Sequence, residues 1–322
     1  MGIVAFLLDI IVEELMVVRW YLTQASMSVH WTLSLLTIVI FSVSLVVIAS
    51  SLTVYVAPTA LGSGVAEAMG YLNGVAYPHY ISFKALAVKF FGLALGVSAG
   101  MCGGKEGPLV HMGLIVGCII PYLNFTGIFK YFRNDTEKRK LISAGIAAGV
   151  SAAFGAPIGG SLFAYEMSKP NTFWSFSLTW KVFFAASIST FTLTVLKQLY
   201  VGETHIKLIN SGNVKLASVG SLNIYVDTLF ASGVIGILGG LVGSIFIRVN
   251  LFINIYRKKY LTTNLRRVLE ACVLIGLTVT CFFISSMFQD TCVIEEQTIF
   301  NRETFKNEVI KDPIYAMGID VK

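Results

Sequence analysis

Residues 20–66 pass without a single Asp, Glu, Lys or Arg. A surface helix of a soluble domain needs a polar face, and nothing of that length here supplies one. About 20 apolar residues carry a helix across the hydrocarbon core of a bilayer, so Trp31 to Val56 is expected to form one spanning helix. Further uncharged runs occupy 90–104, 107–129, 141–165, 182–196, 228–247 and 271–289. Met1 to Leu22 is also apolar but carries Asp9, Glu13, Glu14 and Arg19. It lacks the basic start, apolar middle and small-residue cleavage site of a signal peptide, and is expected to be the latter part of a helix.

Composition narrows the function. Only 13% of the 322 residues are charged, against about 25% in soluble domains. The mean hydropathy is +0.75. A soluble enzyme and a disordered chain are therefore excluded, and no enzymatic activity is expected. The net charge of +6 is spread over 24 basic residues broken up by long uncharged runs. That makes no continuous basic face for nucleic acid, so membrane lipid is the expected surrounding. The two densest basic segments, Lys130 to Lys140 and Arg257 to Arg267, are placed in the cytosol by positive-inside bias. Cys102, Cys118, Cys272 and Cys281 lie in apolar runs and are expected to be buried thiols. No CxxC or His/Cys cluster suggests a metal site. Residues 1–288 read as a transmembrane helical domain and 289–322 as a polar loop or tail.

The apolar runs are punctuated by Gly and Pro at Pro58, Gly62, Gly64, Gly103, Gly104, Gly107, Pro108, Gly155, Pro157, Gly159 and Gly160. Broken backbone at membrane depth is tolerated only inside protein or along a polar cavity, and half-helix ends of this kind face the binding sites of transporters. Small residues between 143 and 160 are expected to let helices approach closely.

Chemistry concentrates in GGKEGPLVH, residues 103–111, where Lys105 and Glu106 interrupt two apolar runs. Ionised side chains inside a membrane are costly and usually functional. Gly107 and Pro108 follow, and proline favours the first turn of a helix, so Glu106 is expected to cap a new helix. The free N–H groups and partial positive charge of a helix start attract anions. A carboxylate there can fill the site itself or swing away and admit an anion, which makes Glu106 a tethered competitor. The alternative is a glutamate that only caps a buried helix end. A second helix start occurs at GSGVAE, residues 62–67, where Ser63 offers a hydroxyl and a cap. GGK fails as a phosphate-binding loop, because Ala99 and Glu106 stand where that pattern needs Gly and Ser or Thr. His30, His79, His111 and His205 are scattered and read as structural.

These segments together resemble the CLC family of chloride channels and chloride/proton antiporters. GSGVAE (62–67) is similar to that family's GSGIPE, GKEGPLVH (104–111) to GKEGPxxH, and GIAAGVSAAFGAPIGGSLFAYE (145–166) to GxAAGxAAAFxAPxxGxLFxxE. YLNGV (71–75) and YFRNDTEKRKLISAG (131–145) resemble the endosomal and lysosomal branch. The resemblance implies an all-α polytopic membrane fold of tilted and broken helices, the first of two inverted repeats plus the start of the second. It covers almost all of 1–288 but only the family's first half. It implies chloride as the bound and transported ion with no cofactor, and a homodimer with one pore per subunit; an accessory subunit leaves no mark in the sequence. Ser63, Gly64, Glu106 and Gly107 would bind the anion, and Glu106 would gate it beside the positive charge of Lys105. Helices near 157–200 would contribute to the dimer interface. Two departures bear on mechanism. The family's proline in the first motif is Ala66, and the internal proton-accepting glutamate of antiporters is Met167, after Glu166. Methionine carries no proton, and Glu166 is turned by about 100° from that position on a helix. A voltage-gated-type chloride channel is therefore placed ahead of a chloride/proton antiporter, and a non-conducting truncated subunit paired with a full-length relative stands as a third reading. The expected location is an endosomal, lysosomal or vacuolar membrane.

Overall fold

The computed structural model describes residues 1–122, 132–168, 174–202 and 226–288, together with two strands at 293–301 and 306–314. Lys130, His205 and Cys292 lie outside the described residues. The chain is an all-α polytopic membrane protein, built in order from α1 (Gly2–Met27), α2 (Trp31–Ser51), α3 (Val65–Leu72), α4 (Phe83–Ser98), α5 (Glu106–Ile119), α6 (Asp135–Phe154), α7 (Pro157–Ser168), α8 (Phe176–Val201), α9 (Val226–Tyr260) and α10 (Asn264–Met287). Among the described residues, Trp31–Val56, Phe176–Tyr200, Phe230–Tyr260 and Asn264–Met287 are long and apolar enough to cross a bilayer.

The helix ends follow local chemistry. His30, Ser82 and Ser175 accept backbone N–H groups at the starts of α2, α4 and α8, which satisfies donors that the first turn leaves open. At the end of α2 the backbone widens into a π-turn over Leu52–Val56 before Pro58. The expected span to Val56 is therefore present, with its last turn unwound. Gly155 closes α6 at φ +67° and Pro157 opens α7 directly after it, the glycine-stop and proline-start pairing that lets a chain reverse within two residues.

α5 and α6 form the centre. A Cβ built on Gly113 would collide with the Gly145 carbonyl, and one on Gly149 with the Leu109 carbonyl. Backbone therefore touches backbone, the contact that small residues permit and that substitutes for a hydrophobic drive inside lipid. Around this seam Leu114, Ile115, Ile142, Ile146 and Met167 form a continuous buried cluster. A second cluster joins Ile38, Leu45 and Val46 of α2 to Ile275, Val279 and Phe283 of α10. α9 presents its apolar side chains outward, Phe230 and Phe246 among them; its C-terminal end is fastened to α10 by two bonds from Arg257 to Glu270, of 2.6 and 3.0 Å.

One expectation from the sequence meets a different arrangement. Cys118 is buried, but Cys102 and Cys281 are exposed and Cys272 half-exposed; an apolar run fixes that a helix lies in lipid, not which of its faces meets other helices. Within the polar segment 289–322, Val293–Asn301 and Lys306–Ile314 pair as an antiparallel hairpin in the register Val293 to Ile314.

Candidate functional site

Two broken connections converge on one point. Leu61 leads into the Gly62–Ser63–Gly64 turn and then α3; Met101–Gly104 leads into α5. Gly62 and Gly64 take φ of +72° and +81°, a region closed to most side chains. The Ser63 Oγ accepts the Val65 N–H at 3.3 Å, so the hydroxyl sits at the opening of α3, with Gly64 in the N-cap position.

Glu106 is the first residue of α5, Lys105 its N-cap, and Gly107 and Pro108 complete the first turn. Ser63 is seated on Gly107: a Cβ there would come within 2.7 Å of the Ser63 Cβ. The two helix starts expected from the sequence are thus brought face to face. The Glu106 carboxylate folds back over Gly104, filling the space a side chain at 104 would need. Glycine at 104 is what allows the carboxylate to lie at the mouth of its own helix.

Lys105, expected as a positive charge beside Glu106, is engaged in an ion pair. Its Nζ lies 2.5 Å from Asp9 Oδ1 on α1, and Lys197 Nζ of α8 lies 2.6 Å from Asp9 Oδ2. One nearly buried carboxylate thus holds two lysines from distant parts of the chain. The three residues, with Glu13 and Glu106, line a cavity of about 330 Å³. The cavity carries both signs of charge beside the start of α5, and its lysines are positioned by Asp9 and not left mobile.

Behind the Ser63 turn stands a second polar group. Lys89 of α4, 4% exposed, donates to the Gly62 carbonyl at 2.9 Å and to His111 Nδ1 at 3.0 Å. An ammonium only donates, so Nδ1 accepts and the ring proton sits on Nε2, which donates to the Tyr80 carbonyl at 3.1 Å. The Tyr80 and His111 rings stack at 3.9 Å and 8°, and the Tyr80 hydroxyl donates to the Gly64 carbonyl at 2.7 Å. His111 also explains the glycine: a Cβ on Gly64 would strike the histidine Cβ at 2.7 Å.

Met167 and Glu166 lie elsewhere. Met167 is buried in the cluster between α5, α6 and α8, while Glu166 is exposed on α7. Among the described residues no group of three or more His, Cys, Asp or Glu could hold a metal ion.

Sequence reasoning passed over Asp9, Lys89, Tyr80 and Lys197. Lys89 had a signal: it is a lone charge in the apolar stretch 85–104, and such a residue inside a membrane is a site candidate by default. Tyr80 carried no signal, since its role depends on stacking against a residue 31 positions away.

Comparison with known proteins bears on the family and the fold. The family model described as voltage gated chloride channel matches residues 45–317. The chain is 36% identical over 298 residues to the H(+)/Cl(-) exchange transporter 7 of Bos taurus, covering 88% of this chain and 36% of that protein. It is 35% identical over 302 residues to chloride channel protein D of Dictyostelium discoideum, covering 89% of this chain and 29% of that protein. The chain thus spans about a third of the length of such curated relatives. In solved structures the same fold appears in a slow cyanobacterial Cl−/H+ antiporter, with a TM-score of 0.69 and 23% identity over 90% of this chain and 65% of that one. It appears again in a eukaryotic CLC transporter, with a TM-score of 0.66 and 21% identity over 91% of this chain and 49% of that one.

Proposed function

Since this chain belongs to the voltage-gated chloride channel family, we propose that it supplies the anion site of a chloride-transporting membrane protein, with chloride held between Ser63 and the start of α5 and with Glu106 as its gate. The observation that carries this reading is the seat of Ser63 on Gly107. It sets a hydroxyl and a helix N-terminus against one small volume, and both favour an anion. The Glu106 carboxylate lies at the same helix end and competes for it. Protonation removes its charge, weakens its hold on the helix start and admits chloride. Gly64 and Gly107 serve by lacking side chains, so that the two turns close on each other. Lys105 contributes through its ion pair with Asp9, which anchors the loop before α5.

Uncoupled conduction is favoured by Met167, which sits in an apolar cluster and offers no proton acceptor. Coupled chloride/proton exchange is a second reading, favoured by relatives that bear the name H(+)/Cl(-) exchange transporter 7. Reconstitution in liposomes separates the two: chloride efflux with no accompanying proton movement is expected for conduction, and a fixed ratio of protons to chloride would establish exchange. Absence of chloride flux from the chain, alone or combined with a full-length relative, would overturn the transport reading altogether.

The chain also works as one member of a homodimer in this proposal, with α7 and α8 contributing to the interface; Phe176, Trp180, Phe184 and Phe191 leave α8 richly apolar on its outer face. The segments resembling the endosomal and lysosomal branch support an intracellular membrane as its location.

A further inference from the structure

The turn that carries Ser63 has an electrostatic problem. Peptide carbonyls bear partial negative charge, and a turn that receives an anion must direct its hydroxyl and N–H groups inward while its carbonyls are occupied elsewhere. On either side of Ser63 they are occupied. The Gly62 carbonyl accepts from Lys89 Nζ at 2.9 Å. The Gly64 carbonyl accepts from the Tyr80 hydroxyl at 2.7 Å as well as from the Ala68 N–H at 2.9 Å. Tyr80 is itself held twice by His111, through the ring stack and through the bond from Nε2 to its carbonyl. His111 belongs to α5, five residues beyond Glu106. Tyr80 therefore couples the Ser63 turn to the helix that begins with the gate, and all three side chains are at most 4% exposed.

We propose that Tyr80 is a specificity-determining positioning residue, whose hydroxyl holds the Gly64 carbonyl away from the anion and so sets the preference of the Ser63 turn for a spherical halide over a planar oxyanion such as nitrate. This inference rests on the chloride reading above. It differs from it in assigning selectivity to a residue outside the three family motifs. The Gly64 carbonyl keeps its bond from the Ala68 N–H, so the Tyr80 hydroxyl is the second constraint on that peptide; losing it loosens the turn in which the Ser63 hydroxyl accepts from the Val65 N–H at 3.3 Å.

Tyr80→Phe isolates the hydroxyl, because the ring and its stack on His111 are kept. Chloride and nitrate binding would be titrated calorimetrically on the full chain in lipid nanodiscs, with amide hydrogen exchange followed at Gly64 and Val65. The preference for chloride over nitrate is expected to fall roughly five- to tenfold, the factor carried by one lost hydrogen bond. Exchange at those two amides is expected to rise while that of α4 and α5 stays unchanged. An unchanged anion preference in the variant, with chloride binding intact in the unaltered chain, overturns this inference alone. Failure of the unaltered chain to bind chloride overturns the chloride reading and this inference together.

Discussion

Ser63 and Gly107 meet so closely that a single methyl group would part them: the Cβ missing from Gly107 would stand 2.7 Å from that of Ser63. Gly107→Ala is accordingly expected to push the two helix starts apart. Overpacking of this kind costs about 1–3 kcal/mol, and the measurable results are a lowered thermal midpoint and loss of chloride binding. Retention of both at the level of the unaltered chain would mean that the two turns are not held in this register.

Asp9 carries a different load. It neutralises Lys105 and Lys197 from α1, at 2.5 and 2.6 Å. Asp9→Asn leaves two half-buried ammonium groups beside one another. Removing one partner of a buried pair costs up to about 3–5 kcal/mol, and the partial exposure of both lysines reduces this to about 1–3 kcal/mol. Adding Lys197→Met to Asp9→Asn is expected to recover part of the loss. A double-mutant cycle by thermal unfolding measures the coupling; strict additivity would show that Lys197 and Asp9 act independently.

The gate gives a prediction whose sign follows from charge. The Glu106 carboxylate lies at the start of α5 and competes there with chloride, whereas a neutral amide of the same shape does not. Glu106→Gln is therefore expected to bind chloride more tightly than the unaltered chain. Calorimetric titration of the two side by side reads the effect. Unchanged affinity in the variant would show that the carboxylate does not contend for the anion site.

Glycines of similar appearance in the sequence should behave in opposite ways. Gly145 faces the Gly113 backbone, where a Cβ would collide with a carbonyl, whereas nothing lies within 4 Å of the Cβ position on Gly236. Gly145→Ala is expected to destabilise the chain by about 1–3 kcal/mol through forced separation of α5 and α6. Gly236→Ala is expected to be neutral or to stabilise α9 by up to about 1 kcal/mol, from helix propensity. Thermal unfolding of the two variants in the same detergent tests the contrast.

Much of this architecture is legible before any folding. A long uncharged run announces a helix because a single segment in the bilayer satisfies its own backbone hydrogen bonds only as a helix. Gly155 and Pro157 announce a break because glycine readily takes the left-handed conformation that ends a helix, while proline fixes its own φ and lacks an N–H. Glu106, with Gly107 and Pro108 after it, announces a helix start for the same local reason, and the observed α5 begins there. Lys105 shows where local reading stops. Its charge was visible, but its partner Asp9 is 96 residues away, so the ion pair was not.

By itself, then, the sequence determined the membrane environment, the positions of the spans and their breaks, and the identity of the two turns that present Ser63 and Glu106. These depend on hydropathy, on proline and on glycine, which act within a few residues. The tertiary structure alone decided that the two turns touch, that Asp9 gathers Lys105 and Lys197, and that Lys89, His111 and Tyr80 stand behind Ser63. Those relationships join side chains from separate helices and turns, distant in sequence, and only the packing of the elements against one another sets their distances.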